Sequence, residues 1–254
     1  MIRVVFNQKG GVGKSSITSN LAAISAAKGL KTLVIDLDPQ CNSTQYIYGA
    51  GSDELNQDVK AFFEQTLSFQ MKPQGADAFI HATPYENLFL IPANRDVADL
   101  QTKLETKHKI YKLKEAVEKL TDFDAIYIDT PPAFNFFTLS ALVAAERCLI
   151  PFDCDEFARH ALYSLLDNVN ETRMDHNAAL EVEGIVVNQF QPRASLPRKM
   201  VEALQAEDLP VLNCKISSSV KMRESHNESI PLIHYAPKHK LTQEFVDLFN
   251  ELHP

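Results

Sequence analysis

Short apolar runs rich in Val and Ile recur along the chain at residues 4–6, 32–35, 88–91, 125–128, 148–151, 184–187, 211–216 and 232–233. Most of them are separated by longer stretches whose apolar positions have helical spacing. Strands that alternate with helices, and that are apolar continuously instead of at every second residue, predict a parallel sheet covered on both faces. The expected fold is α/β: a mostly parallel, twisted sheet of about eight strands with helices on both faces. In such sheets ligands bind beyond the carboxyl ends of the strands. A helix is expected over residues 14–28, stopping at Gly29 as at a C′ glycine, with Lys28 suited to its negative end. Near the other terminus Leu241, Phe245, Leu248, Phe249 and Leu252 share one helical face, while Glu244, Asp247 and Glu251 lie elsewhere on that helix. An acidic polar face predicts packing on the core, because a helix that lies on anionic membrane needs Lys or Arg there.

Composition narrows the picture. The 254 residues contain no Pro/Gly/Ser-rich linker, repeat or low-complexity tract, so one domain over 1–254 is expected. A net charge of −8 excludes a protein that is basic all over and leaves room for a local basic patch. The cysteines, Cys41, Cys148, Cys154 and Cys214, have no C-x-x-C spacing, and the N-terminus reads as a strand instead of a secretory signal, which predicts a reducing cytoplasm. The apolar segment 139–145 stops at Glu146-Arg147, far short of the ~20 residues that span a bilayer, so no stable membrane association is expected.

The chemistry concentrates behind the first apolar run, in Lys9-Gly10-Gly11-Val12-Gly13-Lys14-Ser15-Ser16. A glycine-rich loop can turn its N–H groups around the oxygens of a di- or triphosphate, because without Cβ atoms the chain reaches positive φ cheaply and approaches closely. Lys14 adds charge at the β- and γ-phosphates, Ser15 offers a hydroxyl to Mg²⁺, and the following helix points its positive end at the same anion. The common phosphate-loop pattern has glycine where this chain has Gln8, and Lys9 is additional. Asp38 and Asp129 also sit just past apolar runs, so the three segments can converge on one site.

Asn7-Gln8-Lys9-Gly10-Gly11-Val12-Gly13-Lys14-Ser15 closely resembles the deviant Walker A motif of the ParA/MinD family of P-loop ATPases, in particular its small ParA-like branch. Val34-Ile35-Asp36-Leu37-Asp38-Pro39-Gln40 with Asn42-Ser43-Thr44 resembles the family's switch I, and Ile126-Tyr127-Ile128-Asp129-Thr130-Pro131-Pro132 its Walker B and switch II. Similar segments continue at Ile91-Pro92-Ala93-Asn94, at 151–162, at Val186-Val187-Asn188, at 220–225 and at 231–233. The resemblance lapses at 52–87, and Asp155 and Ala161 stand where the family carries Glu and Gly.

The resemblance implies a Mg-dependent ATPase that forms an ATP-sandwich homodimer. Lys14 would neutralise the phosphates; Gly10, Gly11, Val12, Gly13, Ser15 and Ser16 would cradle them. Ser15 would ligate Mg²⁺ directly, Asp129 would hold it through water, and Asp38, near metal and γ-phosphate, would orient the attacking water, with Asp36 supporting from behind. Lys9 would reach the phosphates of the partner subunit, Asn188 would hydrogen-bond adenine, and Thr130-Pro131-Pro132 would act as a switch. ParA-like proteins bind DNA without sequence preference through basic residues of the C-terminal part, here Arg193, Arg198, Lys199, Lys215, Lys221 and Arg223. The expected protein is cytoplasmic and nucleoid-associated, has no helix-turn-helix domain before the loop, and positions or segregates a chromosome, plasmid or protein complex with a ParB-like or other adaptor that stimulates ATP hydrolysis. Two alternatives stay open. One is a MinD-like positioning ATPase acting on a membrane or protein surface without DNA; the other is a metabolic P-loop enzyme whose second pocket is built by residues 52–87.

Overall fold

The computed structural model describes residues 1–154 and 158–253. Among them the sheet has eight strands: β1 (Ile2–Val5), β2 (Thr32–Asp36), β3 (His81–Ala82), β4 (Leu88–Ile91), β5 (Ala125–Asp129), β6 (Arg147–Asp153), β7 (Glu181–Phe190) and β8 (Val211–Ser217). The helices that follow them are α1 (Lys14–Ala27), α2 (Asn42–Tyr48), α3 (Val59–Leu67), α4 (Gln101–Thr106), α5 (Lys112–Val117), α6 (Phe136–Ala144), α7 (Ala158–Asp175), α8 (Ser195–Ala206), α9 (Val220–Asn227), α10 (Leu232–Tyr235) and α11 (Lys240–Glu251).

Strand order across the sheet is β3-β4-β2-β5-β1-β6-β7-β8, parallel except for β3, which runs against β4. β1 lies between β5 and β6. The chain leaves β1 where the connections diverge to the two halves of the sheet, and a crevice opens at such a point. Successive strand residues feed opposite faces. Val4, Leu33, Ile126 and Cys148 join a core with α3 to α8, whereas Val5, Val34, Tyr127 and Leu149 join a second core with α1 and α11. This two-sided burial is why the strands read as continuous apolar runs.

Helix α1 stops at Gly29, which takes a φ of 89°; the backbone N–H of Lys28 donates to Ile24 O at 3.0 Å, while its ammonium donates to Asn250 Oδ1 at 2.9 Å. The acidic helix α11 buries Leu241, Phe245, Leu248 and Phe249, and its carboxylates have a structural use. β8 is an edge strand. Glu251 accepts from the N–H groups of Asn213 (2.7 Å) and Cys214 (2.8 Å), and Glu244 from that of Ser217 (2.8 Å). The helix thereby closes an edge that would otherwise offer unpaired donors.

One expected strand is corrected. Residues 232–233 form the start of the short helix α10, not a strand. Pro231 sets the approach with φ of −54°, the Leu232 N–H is taken by Asn20 Oδ1 at 2.9 Å, and Leu232 is buried on the α1 side of the core. The eighth strand is instead β3, two residues long, within the segment where the family resemblance lapses. No helix among the described residues is long and apolar enough to cross a membrane.

Candidate functional site

The loop between β1 and α1 is held open by its neighbours. Asn7 donates to Pro151 O on β6 at 2.7 Å, and its carbonyl oxygen accepts from the Lys9 N–H at 2.8 Å, so the turn into the loop is fixed before the glycines begin. Gly11 and Gly13 take φ of 77° and 90°, the left-handed region that glycine reaches without a Cβ penalty. From the far side, Asn188 Nδ2 donates to Val12 O at 2.8 Å and Gln189 Nε2 to Gly11 O at 3.1 Å, tying the loop to the end of β7. Asn188, within β7, thus braces the phosphate loop, a role that the adenine contact implied by the resemblance does not include. Lys9 is half-buried at the loop's start. Lys14, nearly buried, donates from Nζ to Lys9 O at 3.1 Å, closing the loop across its own backbone.

Beneath the loop lie the acids. Parallel pairing puts Val5, Asp129 and Asp36 side by side at the carboxyl ends of β1, β5 and β2. Asp129 is fully buried and accepts from Ser43 Oγ at 2.7 Å; the hydroxyl of Ser15 also stabilises its ionised form. Burial nevertheless pushes Asp129 up to about 6. Asp36, equally buried beside it, is held well above the usual carboxylate range by desolvation first and by the neighbouring Asp129 charge second. Its oxygens accept from Thr44 N (2.8 Å), Thr44 Oγ1 (2.7 Å) and Asp38 N (3.1 Å), so it fixes the start of α2 and aims the following turn. Asp38, raised by desolvation, accepts from Gln40 N at 3.0 Å and faces the Lys14 charge, whose own pKa burial lowers.

A cleft of about 530 Å³ opens at the loop, with Gly10, Gly11, Gly13, Lys14, Ser15, Ser16 and Asp38 on its walls and Pro132 of the expected switch at its edge. The structure adds residues that sequence reasoning did not find. His226 of α9 and Tyr46 of α2 complete the wall; His226 Nε2 lies 3.1 Å from Ser16 Oγ and its ring meets Tyr46 edge-on at 4.4 Å. Tyr46 is anchored in turn to Ser225 Oγ at 2.5 Å.

The expected DNA residues divide. Arg193, Arg198, Lys199 and Arg223 are exposed. Lys221 pairs with Glu224 at 2.5 Å and lies over the Tyr235 ring, and Lys215 lies over Phe190. Ala161 is exposed on α7, and Asp155 lies outside the described residues.

The donor set suits a nucleotide with a divalent cation. Positive-φ glycines open the loop, the first turn of α1 lines the cleft, one ammonium reaches into it, and two serine hydroxyls converge on a buried carboxylate whose raised pKa marks a place where positive charge is favoured. Fold and cleft define a P-loop nucleotide-binding protein. The sequence matches the AAA domain family over residues 1–182. It is 32% identical over 256 residues to the sporulation initiation inhibitor protein Soj of Bacillus subtilis, covering 99% of this chain and 97% of that protein. It is 29% identical to the chromosome partitioning protein ParA of Myxococcus xanthus, covering 98% of this chain and 86% of that one. The crystal structure of cobyrinic acid a,c-diamide synthase from Mycobacterium smegmatis with bound ATP analogue and magnesium superimposes with a TM-score of 0.83 at 26% identity, covering 98% of this chain and 92% of that one. The chain belongs to the ParA/MinD family of P-loop ATPases.

Proposed function

We propose that this chain is a ParA-like ATPase that binds ATP with Mg²⁺, closes into an ATP-sandwich dimer, binds DNA without sequence preference and uses slow, adaptor-stimulated hydrolysis to position or segregate a cargo. The observation that carries the reading is the convergence of Lys14, Ser15, Asp38 and Asp129 beneath a loop that also bears Lys9. Bound Mg²⁺ supplies charge at the phosphate oxygens, and phosphoryl transfer needs chiefly that and an in-line water. Ser15 would hold the metal directly and Asp129 would hold it through water. Lys14 is freed from Lys9 O to meet phosphate. Asp38, aimed by Asp36 and Gln40, orients water. Lys9 supplies a cation to the partner subunit's nucleotide. As a point charge without arginine's fork, it favours assembly over rapid turnover.

The DNA reading rests on Arg193, Arg198, Lys199 and Arg223, whose heads are exposed. Four phosphate contacts from each protomer would lower affinity about 10⁴-fold between 50 and 200 mM salt. The deciding experiment measures binding of the D38A variant to random-sequence duplex DNA with ATP–Mg²⁺ and with ADP, at both salt concentrations. ATP-dependent, salt-sensitive binding is expected. ATP-dependent dimerisation with no DNA binding in either state would overturn the nucleoid reading in favour of a switch acting on a protein or membrane surface.

A further inference from the structure

The segment where the family resemblance lapses builds a second concavity, of about 710 Å³, between the end of α3 with its following loop and the α4–α5 region. Its floor is apolar, from Phe62, Leu67 and Ala116, and its opposite wall carries Lys107, Lys109, Lys112 and Lys119. The two ends of the loop are tied together: Gln65 Nε2 donates to Gln74 O at 3.2 Å, and Gln74 N donates back to Gln65 Oε1 at 3.0 Å. Lys107 Nζ donates to Leu67 O at 2.5 Å, joining the two walls. On that loop Phe69 and Met71 are 92% and 90% exposed, an arrangement that marks an interaction surface when it borders a groove.

The charge is as uneven as the hydrophobicity. Residues 101–120 carry six lysines against three glutamates, in a chain whose net charge is −8. Lys112 is paired with Glu115, whereas Lys109 and Lys119 have no ion-pair partner among the described residues. We propose that this groove docks an acidic, amphipathic segment of a partner protein. Apolar anchors of that segment would enter beside Phe62, Leu67 and Phe69 while its carboxylates meet Lys109 and Lys119. A peptide is favoured over duplex DNA because the phosphate backbone has nothing to bury on an apolar floor, and because the cationic groups line a concavity instead of a broad face. The inference does not depend on the ATPase reading. It places the occupant one helix from the nucleotide site, since Asp58, which caps α3, is held by Asn94, and the adjacent Ala93 N–H donates to Thr44 Oγ1 at 2.9 Å.

A random peptide library displayed on phage, panned against the full-length protein, tests this. Enriched sequences should carry Asp and Glu with Leu, Phe or Met at helical spacing. A synthetic copy of the most enriched sequence should bind in fluorescence anisotropy at least about tenfold more weakly to K109E/K119E and to F69S. Retained binding of a fluorescent ADP analogue by both variants shows that they are folded. The proposal is overturned if no acidic sequence is enriched, or if the peptide binds both variants as it binds the wild type. It is also overturned if K109E/K119E loses affinity for short duplex DNA while keeping the peptide.

Discussion

Gly13 allows a quantitative test of how the loop is held. Its φ of 90° is unfavourable for any residue with a Cβ, and a Cβ built there lies 3.3 Å from Asn188 Cγ and closer still to Nδ2. Gly29 has nearly the same φ, 89°, with nothing within 4 Å of its Cβ position. G29A should therefore show the backbone cost alone, about 1–2 kcal/mol. G13A should show that cost plus the displacement of the Asn188 amide. The displaced amide loses its 2.8 Å bond to Val12 O and leaves a polar group with no partner, worth another ~1–3 kcal/mol. The expected sum is about 3 kcal/mol, or about 8 °C in Tm for a chain of this size. Urea denaturation of ligand-free protein measures it, with equal m-values as the check on the unfolded state. The double variant G13A/N188A separates the two costs, since without the amide the penalty at Gly13 should fall to that at Gly29. If G13A and G29A cost the same within about 0.5 kcal/mol, or if N188A leaves the G13A penalty unchanged, the brace from β7 is not what holds the loop.

Three further outcomes are expected. Arg3 is fully buried and bidentate with Glu183, both contacts at 2.6 Å, so E183A should strand a buried guanidinium and cost about 3–5 kcal/mol in urea, with R3M/E183A recovering part of the loss. Thr44 Oγ1 both donates to Asp36 and accepts from the Ala93 N–H, so T44V should cost about 2 kcal/mol; a change below about 0.5 kcal/mol would contradict the geometry. Burial holds His226 below its ordinary value of 6.5, so the unfolded chain takes up that proton first as the pH falls. The stability this ring contributes is complete above its unfolded value and is lost on acidification through 6.5 towards the lower folded value. H226Q should therefore lose less stability than wild type between neutral pH and pH 5, and parallel stability profiles for the two proteins would refute the assignment.

The strands and the phosphate loop were legible because each is specified locally. A parallel strand buried on both faces leaves a run of apolar residues, and a positive-φ turn demands glycine at the position itself, as at Gly13 and Gly29. The placement of Asp38 and Asp129 just past strand ends was legible for the same reason, and pairing in register then sets Asp36 beside Asp129. What was not legible depends on distant contacts. The pair Leu232-Ile233 has strand composition, yet the strand slot on that side is already closed by α11 and the Leu232 N–H is claimed by Asn20, which is 212 positions away. His226 meets Ser16 across 210 positions and carries no motif. β3 is too short to leave a pattern. Asn188 was visible as a site residue, but its bond to Val12 needed the loop and β7 in one frame.

The electrostatics of the cleft give the local structure its functional sense. Asp36 and Asp129 are both wholly buried, Asp38 nearly so, and the neighbouring cation Lys14, which lines the cleft with Asp38, is itself partly desolvated and weakened as a base. Hydrogen bonds from Ser43, Thr44 and backbone N–H groups stabilise the carboxylates but do not offset burial, since Asp129 stays at about 6 against an ordinary 3.8. A carboxyl raised in this way lowers the stability of the ligand-free fold as pH rises from the unfolded value through the folded one, and the loss persists at neutral pH. An arrangement that costs stability when empty is retained where filling the site returns it. Positive charge brought to Ser15 and Asp129 would relieve the repulsion between Asp129 and Asp36. Asp36 also fixes Thr44 and Asp38, the residues that begin α2 and face the cleft. Its carboxylate therefore ties the first turn of α2 and the Asp38 turn to the end of β2.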